Sequence, residues 1–505
     1  MGLIIIIAIL ALFAFLYLQM MQKASDDQNE EETDVILFDD TISPESINQG
    51  ITIQLNRIHK RGLEELIRSF GTKWKQPISY YCKALCDTVT WESLMFDTWD
   101  TGYLGWEANR FVEDEIEIYP LTFQIIEINN GLLRDTEIIM EEFSIEYNFK
   151  TGRWTGKDSW NDSTGYGHYV GSSYEMWFDI KQIEHDGDQI PYWTEINILG
   201  TDPLVNDEQQ DPDQDGIPTS WEWKWGYDPF SWENHSSLDP DQDGIENIEE
   251  FQMRTWCANP YYKDIYLEID MMEEPPGLFA LDHIFYKESQ YMLMDVFTPH
   301  HITVHIDDGW ANPTTIGGGE RLPYTDEYIS PISGLFSEFY KNHFSDERKG
   351  VFRYVIIHHD GGWCFPQTNQ LHPDVLSIPC RRDYFRSVFF PPAITPKAKR
   401  LGMAILVTHE LGHSLNLNPY YCEGIDNASQ VGRNNLPPLQ KLQERLRAIE
   451  YWDTYESVMN YHKFGSYVLE YSDGSHGIRD ADDWEQIDLT FFQKTIDEKY
   501  GIGDE

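Results

Sequence analysis

The sequence predicts an α+β multidomain chain: an N-terminal transmembrane helix, a mixed or β-rich module, a stalk of repeated acidic loops and a C-terminal α/β domain. Three observations carry this expectation. The chain has 505 residues, more than one hydrophobic core accommodates. An uncharged apolar run opens it, and an acidic motif recurs in its middle at near-constant spacing. Beyond the repeats, strand-length apolar segments and helical patterns follow one another. The expected boundaries are 1–21 for the membrane helix, 22–45 for an acidic tether, 46–180 for the first module, 181–261 for the repeats and 262–505 for the last domain.

Gly2 to Leu18 (GLIIIIAILALFAFLYL) carries no charge and continues through Met20 and Met21, about 20 residues, enough to cross a bilayer as a helix. A core helix would show a polar face, and a cleaved signal peptide a shorter apolar region with a small-residue cleavage site. The run is therefore expected to remain as a single-pass anchor in the cell membrane, with the body extracytoplasmic. Asp26, Asp27, Glu30, Glu31 and Glu32 lie in the tether, which has little apolar periodicity. Over the whole chain 86 acidic residues face 37 basic ones, a formal charge of −49. Such a field repels phosphate backbones, which argues against nucleic acid as a partner, and it concentrates cations. Six cysteines (Cys82, Cys86, Cys257, Cys364, Cys380 and Cys422) lack CxxC spacing and suit disulfides outside the cell, with Cys364–Cys380 the preferred pair.

In the first module, Ile51 to Phe70 (ITIQLNRIHKRGLEELIRSF) reads as a helix, and Glu115 to Glu127 and Ile138 to Phe149 alternate as strands do. No catalytic pattern emerges there. The repeats follow: EHDGDQIPYWTE begins at Glu184, DPDQDGIPTSWE at Asp211 and DPDQDGIENIEE at Asp239, 27 and then 28 residues apart. Carboxylates fall at loop positions 1, 3, 5 and 12 in each. These are Glu184, Asp186, Asp188 and Glu195; Asp211, Asp213, Asp215 and Glu222; Asp239, Asp241, Asp243 and Glu250. Short oxygen side chains converging from one tight turn, closed by a position-12 glutamate, are the ligand schedule of an EF-hand-type Ca2+ loop. The last two copies have glycine at position 6; the first has Gln189, which strains its turn. The spacers ILGTDP, KWGYDP and TWCANP add Asp202, Asp228 and Asn259 as further oxygen candidates. These stretches resemble the thrombospondin type 3-like calcium repeats of prokaryotic surface proteins, and the resemblance implies a calcium-stiffened stalk.

The last domain should open with a strand at Asp264 to Ile269, a helix from about Leu281 to Phe297, and strands at Ile302 to Ile306 and Phe352 to His358. Lys397 to Leu417 reads as a helix and carries VTHELGHSLNL, an HExxH motif. Positions i and i+4 share a helical face, so His409 and His413 can present two imidazoles to one metal ion, with Glu410 beside them. The apolar run GMAILV ahead of the motif buries this helix. Downstream, ESVMNYH places Met459 and Tyr461 in a short turn segment. In motif order, with a C-terminal helix near Asp483 to Lys499, residues 262–505 resemble the metzincin zinc peptidases, whose Met-turn lies under the metal.

The resemblance implies a Zn2+-dependent endopeptidase acting on a protein or peptide substrate, with His409 and His413 as ligands, Glu410 as general base and then acid, and Tyr461 as a transition-state partner. The family's HExxHxxGxxH pattern is departed from twice. Asn416 stands at the glycine and can still take a left-handed backbone, whereas Pro419 stands at the third ligand and cannot bind a metal. Asp426 in CEGIDN is the expected replacement, with His462, His476, Glu423 and Cys422 as competitors. The acidic run Asp473, Asp480, Asp482 and Asp483 suits a calcium site and a solvated loop equally. Pro419 also leaves standing a rival of another class, a calcium-dependent surface adhesion or structural protein with an inactive peptidase-like domain.

Overall fold

The computed structural model describes residues 49–63, 78–87, 89–129, 134–159, 165–183, 186–275, 282–309, 319–329, 334–360, 374–380, 395–427 and 437–494. The expected anchor and tether lie outside them; among the described residues no helix is long and apolar enough to cross a membrane. The chain forms a multidomain structure of mixed sheet and helix regions.

The described residues between 49 and 183 form an antiparallel β-sandwich. Its strands are β1 (Gly50–Lys60), β2 (Tyr80–Cys86), β3 (Val89–Glu92), β4 (Trp106–Phe111), β5 (Ile118–Asn129), β6 (Thr136–Asn148), β7 (Arg153–Gly156), β8 (Gly167–Val170) and β9 (Tyr174–Ile183). One sheet runs β4-β1-β9-β8 and the other β3-β2-β5-β6-β7. Alternation builds the core: Phe143, Ile145 and Tyr147 of β6 are buried while Glu142, Ser144 and Glu146 are exposed. The expected strands near 115–127 and 138–149 are β5 and β6. The helix expected over 51–70 is corrected, since 50–60 is the strand β1; residues 64–70 lie outside the described set. A bulge between Leu55 and Arg57 shifts the register against β9. Ile51, Leu55 and Ile58 therefore all face the core at a 4, 3 spacing that imitates a helix.

The repeats are not an extended stalk. Helix α1 (Thr219–Trp225) follows the second loop and α2 (Asn247–Gln252) the third. Ile217, Trp221 and Trp225 form a small apolar cluster against which Ile248 and Phe251 of α2 pack, while Ile245, Met253 and Trp256 join the core of the C-terminal sheet with Tyr266 and Phe352. Polar contacts tie the repeats to both neighbours. Lys224 Nζ donates to Asp179 of β9 at 2.7 Å, and Gln493 Nε2, from the end of the chain, donates to Gly244 O at 2.5 Å. The expected extension gives way because each loop has a fixed partner outside itself.

The C-terminal domain holds a parallel sheet in the order β11-β10-β13-β14: β10 (Asp264–Met272), β11 (Thr303–Asp307), β13 (Phe352–His358) and β14 (Val375–Pro379), with the short β12 (Arg321–Leu322) on the end of β10. Every residue of β10 is buried, as expected of a central parallel strand. Helices α3 (Lys287–Phe297) and α5 (Pro396–Ser414) pack on the face of Ile265, Leu267, Ile269 and Met271. Phe339 of α4 (Gly334–His343) and Phe344 pack on the face of Tyr266, Tyr354 and Ile356. A further helix, α6 (Pro438–Tyr451), buries none of its residues. The helix expected near 483–499 is corrected: its described part, through Lys494, is turns with one 3-10 segment at Phe491–Gln493, and 495–499 lie outside the described residues. Cys364, of the expected Cys364–Cys380 pair, also lies outside them; Cys380 is a buried free thiol donating to Asp282 O.

Candidate metal centres

Helix α5 starts at Thr395, whose hydroxyl accepts from Ala398 N at 3.1 Å, with Pro396 in the first turn. Residues 401–414 are buried without a break. The helix ends at Asn416, which takes φ 76°, so the departure from glycine there keeps the left-handed turn. Leu417 then folds back, and its carbonyl accepts from His413 Nδ1 at 2.7 Å. His409 Nδ1 is engaged likewise by Val458 O at 2.9 Å. With both Nδ1 protons committed to carbonyls, each imidazole presents an unprotonated Nε2 lone pair in its neutral form.

Those two nitrogens converge on Asp426. His409 Nε2 lies 3.0 Å from Oδ1 and His413 Nε2 3.5 Å from Oδ2. The chain reaches this point by a turn at Asn418, which bypasses Pro419, and by a left-handed backbone at Asp426 itself, φ 54°. Its amide donates to Met459 O at 3.2 Å, so the methionine turn and Asp426 are held together beneath α5. His409, His413 and Asp426 thus form a buried group that can hold a metal ion, their ligand atoms all within 4.8 Å of one another. Of the competitors, His462 Nε2 is buried without a hydrogen-bond partner, and His476 is turned to Asp480 at 2.9 Å on the surface.

Electrostatics set the remaining roles. Burial opposes ionisation of Asp426, but the two histidines override it and hold its carboxyl below the usual range. Burial lowers His409, whereas at His413 burial is overcome by the charge and hydrogen bond of Asp426 together with Glu410 and the Leu417 carbonyl, which raise it to about 9. Glu410 is buried, with Oε2 lacking a hydrogen-bond partner, and burial pushes its carboxyl up to about 8. The Tyr461 ring stacks on His409 at 4.8 Å between centroids.

The structural roles of two residues beneath the site, Gly412 and Asp483, are not legible in the sequence. A Cβ on Gly412 would lie 2.5 Å from Met459 Sδ and 2.9 Å from Tyr471 Cε1, both groups fully packed. Gly412→Ala is therefore expected to destabilise the chain by about 1–3 kcal/mol, read as a lowered denaturation midpoint. Asp483 is no solvated acid: it accepts from Tyr455 at 2.7 Å, Ser457 at 2.5 Å and Ser472 N at 3.0 Å, and Ser457 Oγ accepts from Met459 N. It fixes the methionine turn. Asp473, His476 and Asp480 form an exposed group that can hold a metal ion.

The acidic loops share one backbone design. Position 4 has positive φ in Gly187, Gln214 and Gln242, and position 6 in Gln189, Gly216 and Gly244. The first copy thus keeps the turn despite lacking glycine, at a cost of roughly 1–2 kcal/mol. At position 5, Oδ1 of Asp188, Asp215 and Asp243 accepts from Ile190, Ile217 and Ile245 N at 2.8, 3.1 and 2.8 Å. Oδ2 accepts from Asp207, Glu233 and Asp264 N at 3.1, 3.3 and 2.6 Å. A downstream acid is thereby clamped to each loop. Asp202, Asp228 and Asn259, the further oxygen candidates, cap turns by accepting from Leu204, Phe230 and Tyr261 N through Oδ1.

The carboxylates fit cations. Asp186, Asp188 and Glu195 form one group that can hold a metal ion, and Asp211, Asp213 and Asp215 another; Glu184 lies outside the described residues. Both oxygens of Glu222 and of Glu250, Asp213 Oδ2 and Asp241 Oδ2 are buried with no hydrogen-bond partner. Buried anionic oxygens left so are costly without a positive charge. Burial, then Asp264, Asp243, Asp241 and Asp239, raise the Glu250 carboxyl well above its usual range.

The fold and these clusters define a multidomain chain with metal-binding capacity. No protein-family model matches the chain, and no curated protein does. Among solved structures it is similar to human GIVD cytosolic phospholipase A2 in complex with methyl gamma-linolenyl fluorophosphonate, at 10% identity over 28% of this chain and 17% of that one, TM-score 0.18. It is also similar to Drosophila C2-DSL-EGF1, at 10% identity over 26% of this chain and 67% of that one, TM-score 0.15. Likenesses of this size bear on neither fold nor activity.

Proposed function

We propose that the chain is a zinc-dependent endopeptidase of the metzincin type, anchored at the cell surface by its N-terminal helix and stabilised by calcium in its repeats. The observation that carries this reading is the convergence of His409 Nε2 and His413 Nε2 on the Asp426 carboxylate, with Glu410 buried beside them. Two imidazoles and one carboxylate are a proper zinc donor set, and they leave a position for water or substrate. They also supply the third ligand that Pro419 denies, which favours an enzyme over a structural protein with a dead site.

Bound there, zinc supplies the Lewis acidity that polarises a scissile carbonyl and makes water nucleophilic at neutral pH. Glu410 takes the proton of the attacking water and delivers it to the leaving amine, the two transfers a carboxylate beside the donor set can serve. His409 and His413 are kept in the binding tautomer by Val458 O and Leu417 O. Tyr461, packed on His409, is the group assigned to the oxyanion.

Glu410→Gln provides the test. It is expected to keep its zinc, by elemental analysis, while cleavage of an unfolded protein falls on the order of 10²–10⁴-fold. A Gln variant as active as the parent, or a zinc-loaded parent that cleaves nothing, would sink the reading.

A further inference from the structure

The middle repeat contains an imidazole that the calcium schedule does not use. We propose that Asp215, Glu222 and His235 form a second cation site in this repeat, one of mixed nitrogen and oxygen donors that takes a transition-metal dication such as zinc rather than calcium. The proposal stands apart from the peptidase reading.

Their ligand atoms all lie within 4.8 Å of one another. His235 Nε2 is 3.1 Å from Asp215 Oδ2 and 3.8 Å from Glu222 Oε1, and all three side chains are 0% exposed. Nε2 and both Glu222 oxygens have no hydrogen-bond partner. On the other side of the ring, the Asn247 amide lies 2.9 Å from Nδ1, and Asn247 Oδ1 is itself buried without a partner. The two ends of an amide are isosteric, so the arrangement that satisfies both groups has Oδ1 accepting from Nδ1–H. That tautomer aims the Nε2 lone pair at the two carboxylates, as the outer partner of a metal-bound histidine does.

Donor type then selects the ion. Calcium takes oxygen ligands, whereas imidazole with carboxylates suits zinc and its neighbours. Asp215 also belongs to the all-oxygen group with Asp211 and Asp213, so one carboxylate would bridge two unlike cations. The neighbouring repeats lack the feature: two residues beyond the equivalent clamps Asp207 and Asp264 stand Gln209 and Tyr266, where the middle repeat has His235 two beyond Glu233.

The test counts zinc in the full chain, dialysed against saturating calcium and trace zinc, for the parent, His235→Gln, His413→Ala and the double variant. His235→Gln is expected to lose one zinc per chain, and the double variant one more than either single. Should the peptidase reading fail, His413→Ala would lose none and His235→Gln would still lose one. Since His235→Gln can misfold, Co2+ titration of His413→Ala, whose His235 is intact, gives a second readout: one Co2+ should bind with visible d–d absorption and be displaced by Zn2+ but not by Ca2+. Zinc content unchanged by His235→Gln, or a middle repeat that takes calcium alone with His235 merely protonated, overturns the proposal.

Discussion

Asp426→Ala is expected to abolish detectable cleavage and to weaken zinc binding by more than the 10–100-fold typical of losing an outer partner, because it removes a direct ligand. The two imidazoles would remain, each still fixed through Nδ1, but two neutral nitrogens without an anion hold a dication poorly. The metal-free protein should suffer too. Asp426 is the counter-charge that raises His413 to about 9, and removing one partner of a buried ionic contact costs about 3–5 kcal/mol. Asp426→Asn, which keeps the shape and an oxygen donor but not the charge, should fall between. Zinc affinity by chelator competition, read beside cleavage, separates the competitors: His462→Ala, His476→Ala and Glu423→Ala should keep both. If His462→Ala lost zinc while Asp426→Ala kept it, the ligand assignment would be wrong.

What the sequence made legible is what the chain encodes locally. HExxH places its three side chains by helical period alone, and a DxDxDG loop places its oxygens by its own turns, so both could be read without a fold. Asp426 was reachable by chemistry, as a carboxylate a short loop away from a proline that cannot bind. Other features needed tertiary information. A single bulge turned the period-2 pattern of β1 into a helical one. Arg57 and His59, on its far face, are buried only because Asp100 and Asp295 meet them, the latter on α3 of the other domain. His235 lies 13 residues past Glu222 with no motif around it, and its proximity appears only when Glu233 N reaches back to Asp215. The role of Asp483 was hidden for the opposite reason: an acidic run looks solvated until one member is found buried.

Removing calcium is expected to make stability fall as pH rises, because among the described residues the buried third-loop carboxylates Asp241, Asp243 and Glu250 make no ion pair. In the third loop, burial and the neighbouring Asp243, Asp264 and Asp239 hold the Asp241 carboxyl above its usual range, and Asp243 and Glu250 are raised with it. In the unfolded chain such groups titrate near 4. At pH values above about 4 the calcium-free folded state therefore binds more protons than the unfolded one, and its stability falls as pH rises through neutrality. Calcium replaces those protons. Its contribution should be small at pH 5 and large at pH 8, where a site saturated at 100 times its Kd adds about 2.7 kcal/mol. Because Asp264 opens the central strand β10 and its amide is held by Asp243, the gain should extend to the C-terminal domain rather than stop at the repeats. Denaturation midpoints with calcium and with chelator, taken at both pH values, measure this directly. An equal calcium shift at pH 5 and pH 8 would mean that protons and calcium do not compete for these carboxylates. A shift confined to the second pH, and diminished in Glu250→Gln, is the result the buried oxygens require.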